Sequence, residues 1–430
     1  MRKTNATIVL IMLLIVGIIL SSYSFYAACL FFAGLALLEA ASHWLINKLR
    51  EDFQWLITQK DEYPALSEEG LEKFFIHGYD PELGWVRKPN TQKEELGKFG
   101  KTIYHIGKNG SRKNPGHENL PKKISFYGDS FPFGRQVNDN ETCEWYLSDF
   151  TKTNVLNFAV GNFGLDQALL RLKREFPKNK TKIVVMGIVP STIVRIMCMW
   201  KHYNEYGNTF GFKPRFIIEK GNLKLIRNVI GSKEKFFNYE RYLHLIKKHD
   251  HFYENKFKKE MIQFPYLISI LSDPLRNIRL IYLVSLFKWI KKEKSLGSYT
   301  SPMRVIMEIN LKLRINLFLK NEYAVLLLEK LSEEFANYGR KCGFIPVFLL
   351  MPQKDDILFI RKKKEFYYGR FVKFLQSRML VIDLTQYLIN RKDLDELYSD
   401  DNEYGGHYNK FGNKLIAKII YDKLNEEKAI

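Results

Sequence analysis

Hydrophobic positions fall into three patterns along the chain. From Ala6 to about Ile46 they are almost continuous, interrupted by Thr7, the Ser21-Ser22-Tyr23-Ser24 cluster, Glu39, Ser42 and His43. A bilayer-spanning helix needs roughly 20 apolar residues. One helix over this whole run would be a rod of about 60 Å, twice the hydrocarbon thickness. The run therefore predicts either a helical hairpin turning near Ser21–Ser24, which fits the arithmetic better, or one span followed by an amphipathic helix carrying Trp44 and Trp55. It is too long for a cleavable signal peptide and has no small-residue cleavage site. Arg2 and Lys3 flank its start, and Lys48 and Arg50 its end. Two spans would keep both ends cytoplasmic, whereas one span would put the large domain on the other side. Residues 1–50 are thus expected to be an N-terminal transmembrane anchor.

Residues 51–120 are polar, and Asp80–Trp85 and Lys88-Pro89-Asn90 read as turns around a short extended piece. From Lys122 the pattern changes to short apolar runs alternating with helical periodicity. Strands are predicted at Ile124–Tyr127, Asn154–Val160, Lys182–Ile188, Ile345–Leu350 and Met379–Leu384. Helices are predicted within Glu141–Phe150 and at Leu165–Phe176, Tyr323–Gly339, Lys364–Ser377 and Asn413–Leu424. Strands alternating with helices imply a parallel sheet covered on both faces, hence an α/β class. Residues 201–339 break the rhythm with a small β excursion near Phe212–Asn222 and long helical stretches. They are expected to form a mainly helical insertion between α/β segments 121–200 and 340–430.

The 430 residues carry 67 Lys and Arg against 47 Asp and Glu, a net charge of +20. The basic residues are scattered, with small clusters at Lys288–Lys294 and Arg361–Lys364. No zinc-finger spacing, RNP-type aromatic motif or long basic helix accompanies them. Solvated faces near anionic lipid account for the charge, and no nucleic-acid partner is expected. Cys29, Cys143, Cys198 and Cys342 have neither metal-ligand spacing nor the pattern of a disulfide framework.

Three segments carry candidate chemistry. The first strand ends in Gly128-Asp129-Ser130, with Pro132 and Gly134 following, a sharp turn that presents Ser130 at the carboxyl edge of the sheet. The second ends in Asn157–Gly164, with Asp166-Gln167 beyond. There the backbone N–H groups of Gly161 and Asn162, with that of Ser130, suit developing negative charge. A serine nucleophile needs a base, normally a carboxylate-oriented histidine. Of nine histidines, His407 has the suggestive setting: a polar loop, Asp400 to Asn409, just before the last helix. Asp401 and Glu403 are its candidate carboxylates. His202, in a Trp-Lys-His-Tyr run, reads as structural.

Together these segments resemble the SGNH (GDSL-type) hydrolase superfamily. Gly128-Asp129-Ser130 is similar to its first block, Asn157–Gln167 to its second, and the loop with His407, Asn409 and Gly412 to its last. The lead-in Pro81–Trp85 with Lys88-Pro89-Asn90 resembles the stretch before the catalytic block in membrane-anchored bacterial members. The resemblance covers about residues 80–200 and 340–425. It implies a three-layer α/β/α sandwich at a bacterial inner membrane, with the side of the catalytic domain open. Its activity would be an esterase or O-acyltransferase acting on small acyl esters of a glycan or lipid, as in polysaccharide modification, with no metal or organic cofactor. The alternative is a catalytically silent module that binds a glycan or organises a membrane complex. Two departures stand out. Family members carry Asp two or three residues before the histidine, where this chain has Gly405 and Tyr404. The third block usually supplies an Asn, but here Gly187 is followed by Ile188-Val189-Pro190, leaving Asn204 as a distant substitute. Losing one oxyanion donor typically costs about two to three orders of magnitude in rate.

Overall fold

The computed structural model describes residues 2–53, 64, 66–205, 208–290, 302–400 and 406–430. The chain divides into two compact units. One comprises Leu66–Met199, Phe210–His249 and Glu308–Ile430; the other comprises Met1–Ala65, Trp200–Thr209 and Asp250–Met307.

The first unit is built on five parallel strands: β1 (Ile124–Gly128), β2 (Leu156–Asn157), β3 (Ile183–Ile188), β4 (Ile345–Leu350) and β5 (Leu380–Asp383). Their order is β5-β4-β3-β1-β2. β1 and β3 are buried at every position, which is why they read as continuous apolar runs. Strand alternation sorts their side chains into two layers. Phe126, Val185, Leu349 and Ile382 pack with Leu147 of α1 (Cys143–Thr151) and with Ile416 and Ile420 of α5 (Lys410–Glu426). On the other face lie α2 (Leu165–Glu175), α3 (Glu322–Cys342) and α4 (Gly369–Gln376). There the Phe348 ring lies 6.5 Å from Phe335 and 5.9 Å from Phe371. The fold is a three-layer α/β/α sandwich, as the apolar rhythm predicts.

Several boundaries differ from the sequence reading for local reasons. β2 pairs as a strand over two residues only, because Asn157 turns the chain. Its Oδ1 accepts from the Ala159 N–H at 2.9 Å and its Nδ2 donates to Pro132 O at 2.7 Å. The chain nevertheless stays beside β1, with Phe158 and Val160 donating to Phe126 and Gly128. α5 starts earlier than expected because Asn409 caps it, accepting from the N–H groups of Phe411 and Gly412. Ahead of α4, a separate helix, Lys354–Lys363, ends at Lys364 in the left-handed conformation. The insertion contributes to both units. Its hairpin, Arg215–Glu219 with Asn222–Ile226, belongs to the first, and helix Tyr266–Leu271 to the second.

In the second unit, helices Arg2–Tyr23 and Phe25–Phe53 meet at Ser24 and fold back on each other. Gly17 leaves room for the Phe32 ring, which a Cβ there would meet at 2.4 Å. The segment Phe25–Arg50, 26 residues of mean hydropathy 1.7, is long and apolar enough to cross a membrane, while Leu10–Tyr23 is shorter. Glu39, the one carboxylate in the apolar run, accepts from the N–H groups of Tyr266 and Leu267 at 2.5 and 2.8 Å. A buried or lipid-facing carboxylate demands such partners. Trp55 lies outside the described residues.

The strand order has a functional consequence. From β1 the chain moves outward to β2, whereas from β3 it moves the other way to β4 and β5. Open α/β sheets bind ligands outside the carboxyl ends of strands at such a reversal. Here the reversal lies between β1 and β3, at Gly128 and Gly187.

Candidate active site

At that point β1 and β3 approach so closely that only glycine fits. Gly128 has φ +147°, and a Cβ there would lie 1.8 Å from Gly187 O. Asp129 follows and is wholly buried. Its Oδ1 accepts from the Phe131 N–H at 2.9 Å, and its Oδ2 from the Val189 N–H and Arg195 Nη1, both at 3.0 Å. Asp129 thus ties the ends of β1 and β3 together and caps the short helix Ser130–Phe133. Arg112, also buried, finishes that helix. Its guanidinium donates to Phe133 O (2.8 Å), Gly134 O (2.6 Å), Val137 O (2.8 Å) and Asp139 Oδ1 (2.8 Å). These bonds satisfy carbonyls that a helix end otherwise leaves open. They hold Ser130 at 5% exposure.

His407 arrives from the far end of the chain. Tyr398 and Tyr408 form an antiparallel bridge, and His407 O accepts from the Ser399 N–H (2.7 Å) and Oγ (2.9 Å). The imidazole lies against Phe131, ring centres 4.9 Å apart. Its Nε2 is 2.9 Å from Ser130 Oγ. Its Nδ1 is 2.8 Å from Gln136 Oε1, which also accepts from the His407 N–H at 3.2 Å.

The Gln136 amide has one sensible orientation. Its Nε2 donates to Leu96 O at 3.3 Å, and the backbone N–H of His407 needs an acceptor, so Oε1 faces the imidazole. An acceptor at Nδ1 fixes the proton there. Nε2 is then left with its lone pair toward the Ser130 hydroxyl. Burial, reinforced by the charges of Arg135 and Arg195, holds His407 well below the ordinary imidazole pKa. It is therefore neutral, as a base must be, at neutral pH.

Gln136 was not among the residues singled out from sequence. It belongs to no motif, and its place depends on the hairpin Gln92–Gly97 and Gly100–His105, where Glu95 accepts from the Gln136 N–H at 3.2 Å. Asp401 and Glu403, expected to orient the imidazole, lie outside the described residues, as do Tyr404 and Gly405. Asp400 is described, and its carboxylate stands close to Gly406.

Gly161 is next to the serine: a Cβ built on it would lie 3.8 Å from Ser130 Cβ. Its carbonyl accepts from Trp85 Nε1 at 2.9 Å, which turns the peptide and fixes the loop. Asn162 follows, exposed and left-handed at φ +68°. The N–H of Ser130 is the first of its short helix and has no partner within it. Asn157, by contrast, spends both ends of its amide on the backbone. Asn204 and His202 belong to the other unit, where the His202 ring lies 4.8 Å from Trp200 and 5.3 Å from Phe257. Among the described residues no group of three or more His, Cys, Asp or Glu is arranged to hold a metal ion.

No family model matches the chain, and no curated protein matches it either. Solved structures similar to it include a protein assigned to the lipolytic G-D-S-L family from Desulfitobacterium hafniense DCB-2, at 12% identity over 70% of this chain and 99% of that one. Another is the lipase/acylhydrolase from Enterococcus faecalis, at 12% identity over 72% and 97%. A third is the psychrotrophic esterase EstA from Pseudoalteromonas sp., inhibited by monoethylphosphonate, at 10% identity over 71% and 97%. Each has a TM-score of 0.30.

Proposed function

We propose that this chain is a membrane-anchored serine hydrolase of SGNH type that cleaves acyl esters. The observation that carries the reading is the 2.9 Å contact between His407 Nε2 and Ser130 Oγ, with Nδ1 held by Gln136. Ser130 Oγ attacks the ester carbonyl while His407 Nε2 takes its proton. The tetrahedral oxyanion accepts from the Ser130 N–H and the Gly161–Asn162 segment. His407 returns the proton to the leaving alcohol, and an acyl group remains on Ser130. Water resolves it in an esterase, and a sugar hydroxyl in an O-acyltransferase. The N-terminal apolar helices support anchoring at a membrane, where acylated glycans and lipids are at hand.

Gln136 takes the place usually held by a carboxylate. A neutral amide can still select the productive tautomer, as Asn does in papain-like proteases. It supplies no charge to stabilise an imidazolium, so the reading implies modest turnover.

The test is labelling of the detergent-solubilised protein with a fluorophosphonate probe. Wild type labels, Ser130→Ala does not, and His407→Ala labels slower by roughly three orders of magnitude or more. A folded wild type that does not label would remove the hydrolase reading and leave a glycan-binding module.

A further inference from the structure

Two arginines border the space beside Ser130. A Cβ built on Gly161 would lie 3.7 Å from Arg87 Nη2 and 3.8 Å from Arg135 Cδ, as well as 3.8 Å from Ser130 Cβ. Glycine at 161 therefore leaves open a small volume bounded by the serine and both arginine side chains. Arg87 is not a solvated surface residue. Its guanidinium lies 4.6 Å from the Tyr104 ring centre and 4.9 Å from that of Phe133, and Nη1 donates to Tyr104 Oη. That packing fixes its plane and leaves Nη2 toward Gly161.

Among the described residues, the cations around this space outnumber the carboxylates. Glu95 bonds Arg135, with Nε and Nη2 each at 3.0 Å, and reaches Arg87 only at 3.9 Å. Lys93, from the same hairpin, adds a third cation. Burial pulls Arg87 down to about 10, with Glu95 acting against it and Arg135, Arg112 and Arg171 acting in the same direction. Burial likewise lowers Lys93, with Arg87 and Arg135 acting in the same direction and Glu95 against them. Among the described residues, Arg87, Arg135 and Lys93 gather about the Glu95 carboxylate, and the Asp400 carboxylate stands close to Gly406. An anion entering here relieves repulsion and gains charge-assisted hydrogen bonds.

We propose that the substrate carries an anionic group, a carboxylate or a phosphate, next to its ester, and that Arg87 and Arg135 bind this group over Gly161. The proposal deepens the hydrolase reading and rests on it for the position of the ester. It selects acylated acidic sugars or phosphate-bearing acyl esters over neutral ones.

The 430-residue chain in detergent tests it in two ways. First, hexuronic acid, hexose 6-phosphate and plain hexose are compared as binders by calorimetry and as protectants against fluorophosphonate labelling. The acids should bind and protect at least tenfold better than hexose. Protection by hexuronic acid alone assigns a carboxylate site, and by hexose 6-phosphate alone a phosphate site. Second, Arg87→Gln and Arg135→Gln should each weaken the acids by about 10–100-fold, the loss expected for a charge-assisted bond. Arg87→Lys should restore part of this, and Lys418→Gln, which removes the same charge elsewhere, should change nothing. Equal binding of acid and hexose, or no binding of either, would overturn the anion site. A wild type that labels but does not discriminate leaves the hydrolase reading standing without it. One that binds acids but never labels leaves the anion site and sinks the hydrolase.

Discussion

The serine and the histidine are held in opposite ways. Ser130 sits at the end of a wholly buried strand, over two buried ionic ties: Arg112 to Asp139, and Asp129 to Arg195. Those ties also join β1 to β3 and close the helix after the serine, so forming the position of Ser130 is part of forming the core. Among the described residues, His407 instead leans on hydrogen bonds with Ser399 and Gln136 and on the Phe131 ring. Its alignment is a docked contact. Damage on the serine side should therefore read out first as stability, and damage on the histidine side as rate.

The largest effect is expected from Arg112→Met. It strands three carbonyls around the turn and leaves the Asp139 carboxylate with His105 alone, and should cost about 3–5 kcal/mol in unfolding free energy by denaturant titration. Glu144 of α1 comes next. Burial raises its carboxyl to about 7, against the pull of Arg112. The folded protein then keeps a proton that the unfolded chain gives up near 4.5, the ordinary value. Stability should fall as pH rises through that window, by about 3 kcal/mol at most. Melting curves at pH 5 and pH 8 should show this decline in wild type and a flatter profile in Glu144→Gln.

On the histidine side, Gln136→Ala should lower kcat/KM by roughly 10–100-fold through misalignment of the imidazole. Its unfolding free energy should stay within about 1 kcal/mol of wild type. A large stability loss there would erase the contrast between the two halves. The smallest and sharpest effect concerns pH. The base must be neutral, so wild-type activity should be lost only as pH falls through a histidine pKa well below 6.5. Gln136→Glu places a carboxylate against Nδ1 and should move that acid limb upward by about one unit or more. An unchanged limb would mean that Gln136 does not face the imidazole in solution.

Much of the first half was legible in the sequence. Ile124–Tyr127 and Ile345–Leu350 declare themselves as buried strands by apolar runs. Gly128-Asp129-Ser130 announces a sharp turn because few other residues fit one. His407 stood out because its loop combines glycines, carboxylates and a helix start. What was hidden depends on contacts between distant segments. Gln136 looks like any polar residue until a hairpin some 40 positions earlier closes over it. Arg87 and Arg135 are two among many scattered basic residues until Gly161 brings them together. Arg112 gave no sign either, since a buried arginine and an exposed one look alike in sequence. The divided insertion was opaque for the same reason, as helical periodicity does not say which unit a helix joins.

Ser130 and His407 are separated by 277 positions. At a translation rate of about 5–20 residues per second, the serine precedes its base by roughly 15–60 s during synthesis. Over that interval Ser130 has no imidazole beside it, and the chemistry proposed above cannot begin. On the proposed reading, competence arrives only when α5 docks and brings His407 to Ser130.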